Sequence, residues 1–300
     1  LEVIVVDNGS HDGSAEAVEE HFPDVIVIRQ EKNLGFSGGV NCGFDAATAP
    51  LVLLLNTDTL VVGDAIPKLI EYANEHPEAG VIGPRVLNRD ETLQSSYFRF
   101  PSLTNLVLSS LYLYKLFPTS SFFNRERYAG RDPMLAGPVD VVSGCCFLIR
   151  RQLLDQIGGL DEGYFMYAEE TDLCARAHAA GYEVHYAPGP EIIHFGGGSS
   201  RLASRRMFIQ FRRSLLRFYA LHRGVAASLA ARSLLLFGLF IRLPYWLLRS
   251  LLPKQTQARG QLSNILAAVF YLLSFQDAAS ITREARSQKR RSPDGQSVHG

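Results

Sequence analysis

The chain is poor in the residues that would make it a disulfide, zinc-finger or simple membrane protein. It has four cysteines in 300 residues, Cys42, Cys145, Cys146 and Cys174, and none stands at a metal-ligand spacing. Cys145 and Cys146 are adjacent and read as small buried residues of a strand, a usage that points to a reducing cytoplasm. No signal-peptide pattern opens the sequence, and no internal repeat runs through it. Long apolar runs are also scarce. Residues 225–252 approach the roughly 20 positions that a spanning helix needs, but Arg232, Arg242 and Pro244 interrupt them. Neither a Walker loop nor a Gly-x-Gly-x-x-Gly fingerprint occurs, so two common phosphate-binding designs are excluded.

What is present is a globular composition with a hidden asymmetry. Hydrophobic residues make up 47% and charged residues 20%, enough for a sizeable core. The formal net charge is zero, yet residues 1–198 hold 13 Lys+Arg against 27 Asp+Glu, and residues 199–300 hold 17 against 3. A split from −14 to +14 marks a change of domain and of partner.

Residues 2–6 are β-rich and end in Asp7-Asn8-Gly9-Ser10, a turn and helix-cap sequence. A helix is predicted over 12–21, a strand over 25–28, a helix over 38–47, and a strand buried on both faces over 51–55. A helix over 64–75 and a strand over 81–82 follow. Such alternation predicts an α/β fold with a mainly parallel sheet and flanking helices. Ligands bind beyond the carboxyl ends of such strands, where Asp7 and Asn56-Thr57-Asp58 stand. Residues 91–138 are aromatic- and serine-rich without a clear pattern, and read as a loop or lid on the acceptor side. Strands are predicted over 139–142 and 146–149.

The domain expectation is a catalytic domain over 1–200, a helical membrane-associating region over 201–282 and a disordered tail over 283–300. Residues 205–223 interleave arginines with Phe and Leu, the pattern of a basic amphipathic helix on an anionic membrane surface rather than on nucleic acid.

The chemistry concentrates in three places. Asp58 after its strand can hold a divalent cation, Mg²⁺ or Mn²⁺, that neutralises a diphosphate; helix capping is the simpler alternative. The stretch Asn33-Leu34-Gly35-Phe36-Ser37-Gly38-Gly39 lets backbone approach a ligand, or packs a helix closely on the sheet. Glu169-Glu170-Thr171-Asp172 opens a helix. Met166, Glu170, Leu173 and Ala177 recur at helical spacing, which puts Glu170 on the apolar stripe, where desolvation would raise its proton affinity as a general base requires. Glu169, Asp172 and Arg176 fall on another face and can pair in solvent. A solvated helix start is the alternative for all three acids. His194 lies between a strand and Gly196-Gly197-Gly198, as a structural histidine or beside a loop that closes on substrate.

The blocks VVDNGSHDGS, NLGFSGGVNCGF, LLLNTDT, SGCCFLIRR, GGLDEGYFMYAEETDLCARAHAAGYEVHY and IIHFGGGSS resemble, in order, the signature blocks of family 2 glycosyltransferases, nearest the rhamnosyltransferase and galactofuranosyltransferase-like branch. The resemblance covers residues 2–200. It implies a GT-A fold, a nucleotide-sugar donor and inverting transfer to a hydroxyl of a lipid-linked or cell-wall glycan at the cytoplasmic membrane face. It assigns Asp7 to the nucleobase, Asn33, Gly35, Asn41 and Asn56 to the nucleotide site, Asp58 and His194 to the cation, and Glu170 to the catalytic base, with Glu169 as its rival. Asn56 replaces the first acid of the Asp-X-Asp motif, and Glu169-Glu170 replaces a Glu-Asp pair. The family's first strand and turn do not precede Leu1. Alternatives are a sugar nucleotidylyltransferase on a related fold and a scaffold that has lost catalysis.

Overall fold

The computed structural model describes residues 1–196, 204–252 and 255–275, with 280, 281 and 283. The expected closing loop at 197–198 and almost all of the expected tail lie outside the described residues. In chain order come β1 (Ile4–Asp7), α1 (Ser14–His21), β2 (Ile26–Arg29), α2 (Gly35–Ala46), β3 (Leu51–Leu55), β4 (Thr59–Val62), α3 (Ala65–Glu75) and β5 (Ala79–Leu87). Next are β6 (Leu93–Gln94), β7 (Tyr97–Phe98), α4 (Leu103–Ser110), α5 (Leu113–Leu116), β8 (Gly137–Pro138), β9 (Val141–Val142), β10 (Cys146–Arg150) and α6 (Arg151–Ile157). The last are α7 (Glu169–Ala179), β11 (Glu183–His194), α8 (Ser204–His222), α9 (Val225–Leu251) and α10 (Thr256–Ser274). Two units form, one of residues 1–98 and 132–196, the other of 99–131 and 197–300.

In the first unit the central sheet runs β3-β10-β5-β11-β4, with β6 on β5 and β8 on β11. β1 and β2 pair in parallel as a separate two-stranded sheet. The α/β class is as expected, but the pairing is mixed rather than mainly parallel. β11 runs with β5, whereas β10 runs against both β3 and β5, and β4 runs against β11. An apolar run such as Cys146–Arg150 carries no sign of its direction, so periodicity alone could not show this reversal. β3 was expected to be covered on both faces, yet only Val52 and Leu54 are buried, because β3 is an edge strand. β5 takes the central position instead, and eight of its nine residues are buried. Leu69 and Ala73 of α3 pack with Ala79, Ile82, Leu148 and Ala187 in one core cluster.

In the second unit Leu106 of α4 joins Leu216 and Tyr219 of α8, Ala231 and Leu239 of α9, and Ile265 and Leu272 of α10 in one apolar core. The predicted basic amphipathic helix exists as α8, but Arg212 and Arg217 are buried, so its arginines do not form one basic face. Arg212 stacks 3.6 Å over the Phe208 ring, and burial with Arg242 nearby pushes its pKa down to about 10. The arginine expected to interrupt the apolar run does not end the helix. Arg232 turns inward and donates to the Leu272 carbonyl at 2.7 Å, and α9 runs through it for 27 residues in all.

Ile82→Ala should lower stability by about 2–5 kcal/mol through loss of a fully enclosed side chain. Ile70→Ala, on the exposed side of α3, should change it by under about 0.5 kcal/mol. Urea unfolding of both variants checks the pair, and equal effects would contradict the assignment of the core face.

Candidate active site

Three groups of side chains gather at the carboxyl ends of the strands in the first unit. The first is built around Asn8, which the sequence reading passed over. Its Oδ1 accepts from Leu34 N–H at 2.9 Å and its Nδ2 donates to the Gly35 carbonyl at 2.7 Å, tying the turn after β1 to the start of α2. Asn33 Oδ1 accepts from Gly35 N–H at 2.8 Å. Gly35 has φ +81°, and a Cβ there would lie 2.7 Å from Phe165, so no other residue fits this approach. Asp7 ends β1, and its Oδ1 accepts from Ser10 N–H at 3.0 Å. Hydrogen bonds from the Ser10 side chain and backbone hold the Asp7 carboxyl below its usual range, so it remains an acceptor. Asn41 is committed elsewhere in the unit. It accepts from Leu160 N–H at 2.8 Å and donates to the Leu160 carbonyl at 2.9 Å, clamping the loop that leads to α7.

The second group joins residues 136 positions apart in sequence. β3 ends at Leu55, Asn56 donates its N–H to the Cys145 carbonyl at 2.9 Å, and the chain turns through Asp58 into β4. β11 pairs with β4 so that His194 faces Thr59. His194 Nε2 therefore lies 3.3 Å from Asp58 Oδ1. Two ligands at roughly 2.1 Å from one ion stand at most about 4.2 Å apart, and about 3 Å apart when adjacent. The pair thus fits a shared divalent cation without rearrangement, and its oxygen and imidazole donors suit Mn²⁺ well. Gln94 completes the group. Its Oε1 lies 2.9 Å from His194 Nδ1, and an amide oxygen can only accept. With that amide orientation Nδ1 is the donor, which leaves Nε2 as the nitrogen to bind an ion shared with Asp58. Gln94 stands in the segment without a legible pattern. The Asn88-to-Glu91 turn, closed by Glu91 N–H to Asn88 O at 2.9 Å, folds it back beside β5.

The third group is Glu169 and Glu170. Tyr167 and Ala168 before them both take the left-handed conformation, at φ 71° and 64°, a strained turn for residues other than glycine. The helical phase comes out differently from expectation. Glu169 and Asp172 are buried and Glu170 is half-buried, because α7 packs on more than one side. The Asp172–Arg176 pair forms at 2.7 Å, but inside the protein rather than in solvent, with Arg176 also donating to the carbonyls of Ile157 and Gly159. Among the described residues Glu169 Oε2 has no hydrogen-bond partner. Burial, and then the neighbouring Glu170 charge, push the Glu169 carboxyl well up, and burial raises Glu170 too.

Backbone links bring the three groups together. Gly144 packs against Glu170, a Cβ there lying 3.4 Å from that side chain, while the next carbonyl, of Cys145, holds Asn56. The Asp58 charge is close enough to help raise the Cys145 thiol pKa, behind burial as the main cause. Phe36 N–H and the Ser37 hydroxyl donate to Phe165 O and Tyr164 O, at 2.8 and 2.7 Å, which ties the loop around Gly35 to the segment before Glu169.

A raised carboxyl pKa has a defined sign in stability. Below about pH 4.5 Glu169 is protonated in both folded and unfolded chains and its titration contributes nothing; as pH rises the unfolded chain ionises first and the folded state loses ground. Glu169→Gln should therefore melt increasingly above the wild type as pH goes from about 4.5 to 8, with the margin shrinking towards acid. Thermal scans across this range check it, and a margin independent of pH would contradict a desolvated carboxyl.

Comparison with known proteins identifies the family. The sequence profile of glycosyl transferase family 2 matches residues 1–158. N-acetylglucosaminyl-diphospho-decaprenol L-rhamnosyltransferase of Mycobacterium tuberculosis is 32% identical over 205 residues, covering 65% of this chain and 66% of the relative. Rhamnosyltransferase WbbL of Escherichia coli is 27% identical over 175 residues, covering 57% of this chain and 62% of the relative. The chain thus spans just under two thirds of the length of these relatives. Among solved structures, GalNAc-T7 with UDP, GalNAc and Mn²⁺ superposes with a TM-score of 0.50 at 12% identity, over 75% of this chain and 44% of that one, a likeness of fold alone. The chain has a GT-A glycosyltransferase fold, and it belongs to glycosyl transferase family 2.

Proposed function

We propose that the chain transfers a sugar, with inversion, from a nucleoside-diphosphate sugar to a hydroxyl of a lipid-linked or cell-wall glycan. The observation that carries this reading is the 3.3 Å approach of His194 to Asp58, with the Gly144–Cys145 backbone linking that pair to two desolvated carboxyls at the start of α7. In this reading Asp7, Asn33, Gly35 and Asn56 line the nucleotide site, and Asn41 supports it by holding the 160–162 loop. Asp58 and His194 would hold a divalent cation, which when bound supplies positive charge to the departing diphosphate. Glu170, half-buried, is the base that takes the acceptor proton as the acceptor oxygen attacks the anomeric carbon. Glu169 stands beside it, its carboxyl pKa raised by burial and then by the Glu170 charge. Rhamnose is the leading donor sugar, on the strength of relatives named as rhamnosyltransferases.

Association with the cytoplasmic membrane face is part of the same proposal. Val225–Leu251 is long and apolar enough to cross a membrane, with mean hydropathy 1.6 in its richest window, of which 22% is buried. Phe237, Phe240, Leu248 and Leu251 of α9 and Phe270 of α10 are exposed, while two arginines of α8 are not. The attraction in this reading is mainly apolar, with the exposed Arg205, Arg206 and Arg213 of α8 adding to it.

Glu170→Gln should lower kcat by about 10²–10⁴-fold with donor affinity nearly unchanged, and Asp58→Asn should raise the Mn²⁺ concentration needed for activity. Transfer assays and donor titration check both; donor binding lost with turnover kept in Glu170→Gln would contradict the base assignment. Wild-type protein that binds donor and Mn²⁺ yet neither transfers nor hydrolyses the sugar would favour a scaffold. Liposome sedimentation should persist in high salt and fall in Phe240→Asp with Phe270→Asp, whereas release by salt alone would point to electrostatic attachment.

A further inference from the structure

The opposite end of the central sheet gathers a second set of ligand-type side chains that the transfer reaction does not use. His76 follows the last turn of α3, Glu78 precedes β5, and Glu183 and His185 open β11. One ligand atom from each of His76, Glu78 and His185 lies within 4.8 Å of the other two. His185 is 3% exposed, among fully covered Val184, Tyr186 and Ala187. Its Nε2 lies 2.7 Å from Glu183 Oε2 and its Nδ1 lies 3.1 Å from the Tyr72 hydroxyl. His76 Nδ1 lies 3.0 Å from Glu78 Oε1. The two imidazole rings stand 5.4 Å apart, centre to centre.

A divalent ion binds neutral imidazoles and carboxylates together, and His185 would turn its Nδ1 from the Tyr72 hydroxyl to the ion while Nε2 stays on Glu183. Two ring nitrogens with carboxylate oxygen are donors for Zn²⁺ rather than for Mg²⁺ or Ca²⁺. The buried imidazole already has the carboxylate partner that commonly orients a metal-bound histidine. His76 and Glu78 form a half-open rim, with side chains 36% and 47% exposed, so an ion has an entry path and the rim can rotate to close the spacing.

We propose that His76, Glu78 and His185 form a zinc-type metal site, oriented by Glu183, that fastens the end of α3 to the first residues of β5 and β11. It is separate from the Asp58–His194 pair. His185 is registered with Ile82, and His194 lies one residue past the Ile193–Leu87 pair, about six steps or roughly 20 Å along the sheet.

Zn²⁺ alone, titrated calorimetrically into the full chain carrying Asp58→Asn to disable the other pair, should bind at one ion per chain and raise the melting temperature. Adding His76→Gln or Glu78→Gln should weaken this binding on the order of 10–100-fold and remove the thermal shift. Both positions are on the open rim, so circular dichroism should report an unchanged fold. An excess of Mg²⁺ should not displace the zinc. No saturable binding in the Asp58→Asn background, or unchanged affinity in His76→Gln, would overturn the proposal.

Discussion

The register of β11 is the constraint on which this first unit rests. This twelve-residue strand lies between β5, its parallel partner, and β4, its antiparallel one. Its pairing with β4 delivers His194 to Asp58 across 136 positions of sequence. A slip by one residue would turn His194 to the other face and replace it with Ile193 or Phe195. The β5 ladder fixes the other end, where His185 is enclosed. One strand therefore carries both clusters of ligand-type side chains, and its irregular stretch between Ala187 and Glu191 lies between them.

The carboxyl pair imposes a second, energetic constraint. Burying Glu169 without a hydrogen-bond partner for one oxygen costs stability, and the left-handed Tyr167 and Ala168 add strain at the same turn. The surrounding contacts are correspondingly strong. Asn41 clamps Leu160 from both sides, Arg176 joins Asp172 to the backbone of Ile157 and Gly159, and Ser37 holds Tyr164. An unfavourable arrangement held this firmly is what a site needs if a carboxyl is to have high proton affinity near neutral pH.

Much of this was legible in the sequence, for identifiable reasons. Most of the alternation of strands and helices up to β5 was visible because each segment has its own period and its own turn residues, but β4, which follows β3 after a three-residue turn, was not. Asp7, Asp58 and His194 drew notice because each stands at or just past the end of a strand. The direction of β10 was not, since a short apolar run reads alike in either sense. Nor were Asn8 and Gln94, whose roles come from hydrogen bonds to residues 26 and 100 positions away. The phase of α7 misled because its polar residues are buried too; spacing separates faces, but not a solvated face from one covered by a loop. In α8 the same limit appears in reverse, where Arg212 and Arg217 carry charge into the packed side of the helix.

The most direct test of the account is anomalous diffraction at the manganese edge from crystals of the protein grown with Mn²⁺ and a nucleoside-diphosphate sugar. The account predicts a manganese peak bridging Asp58, His194 and the diphosphate, with the Glu170 carboxylate on the side of the anomeric carbon opposite the leaving group. A donor-bound manganese remote from Asp58 and His194, or a Glu170 turned away from the sugar, would contradict it.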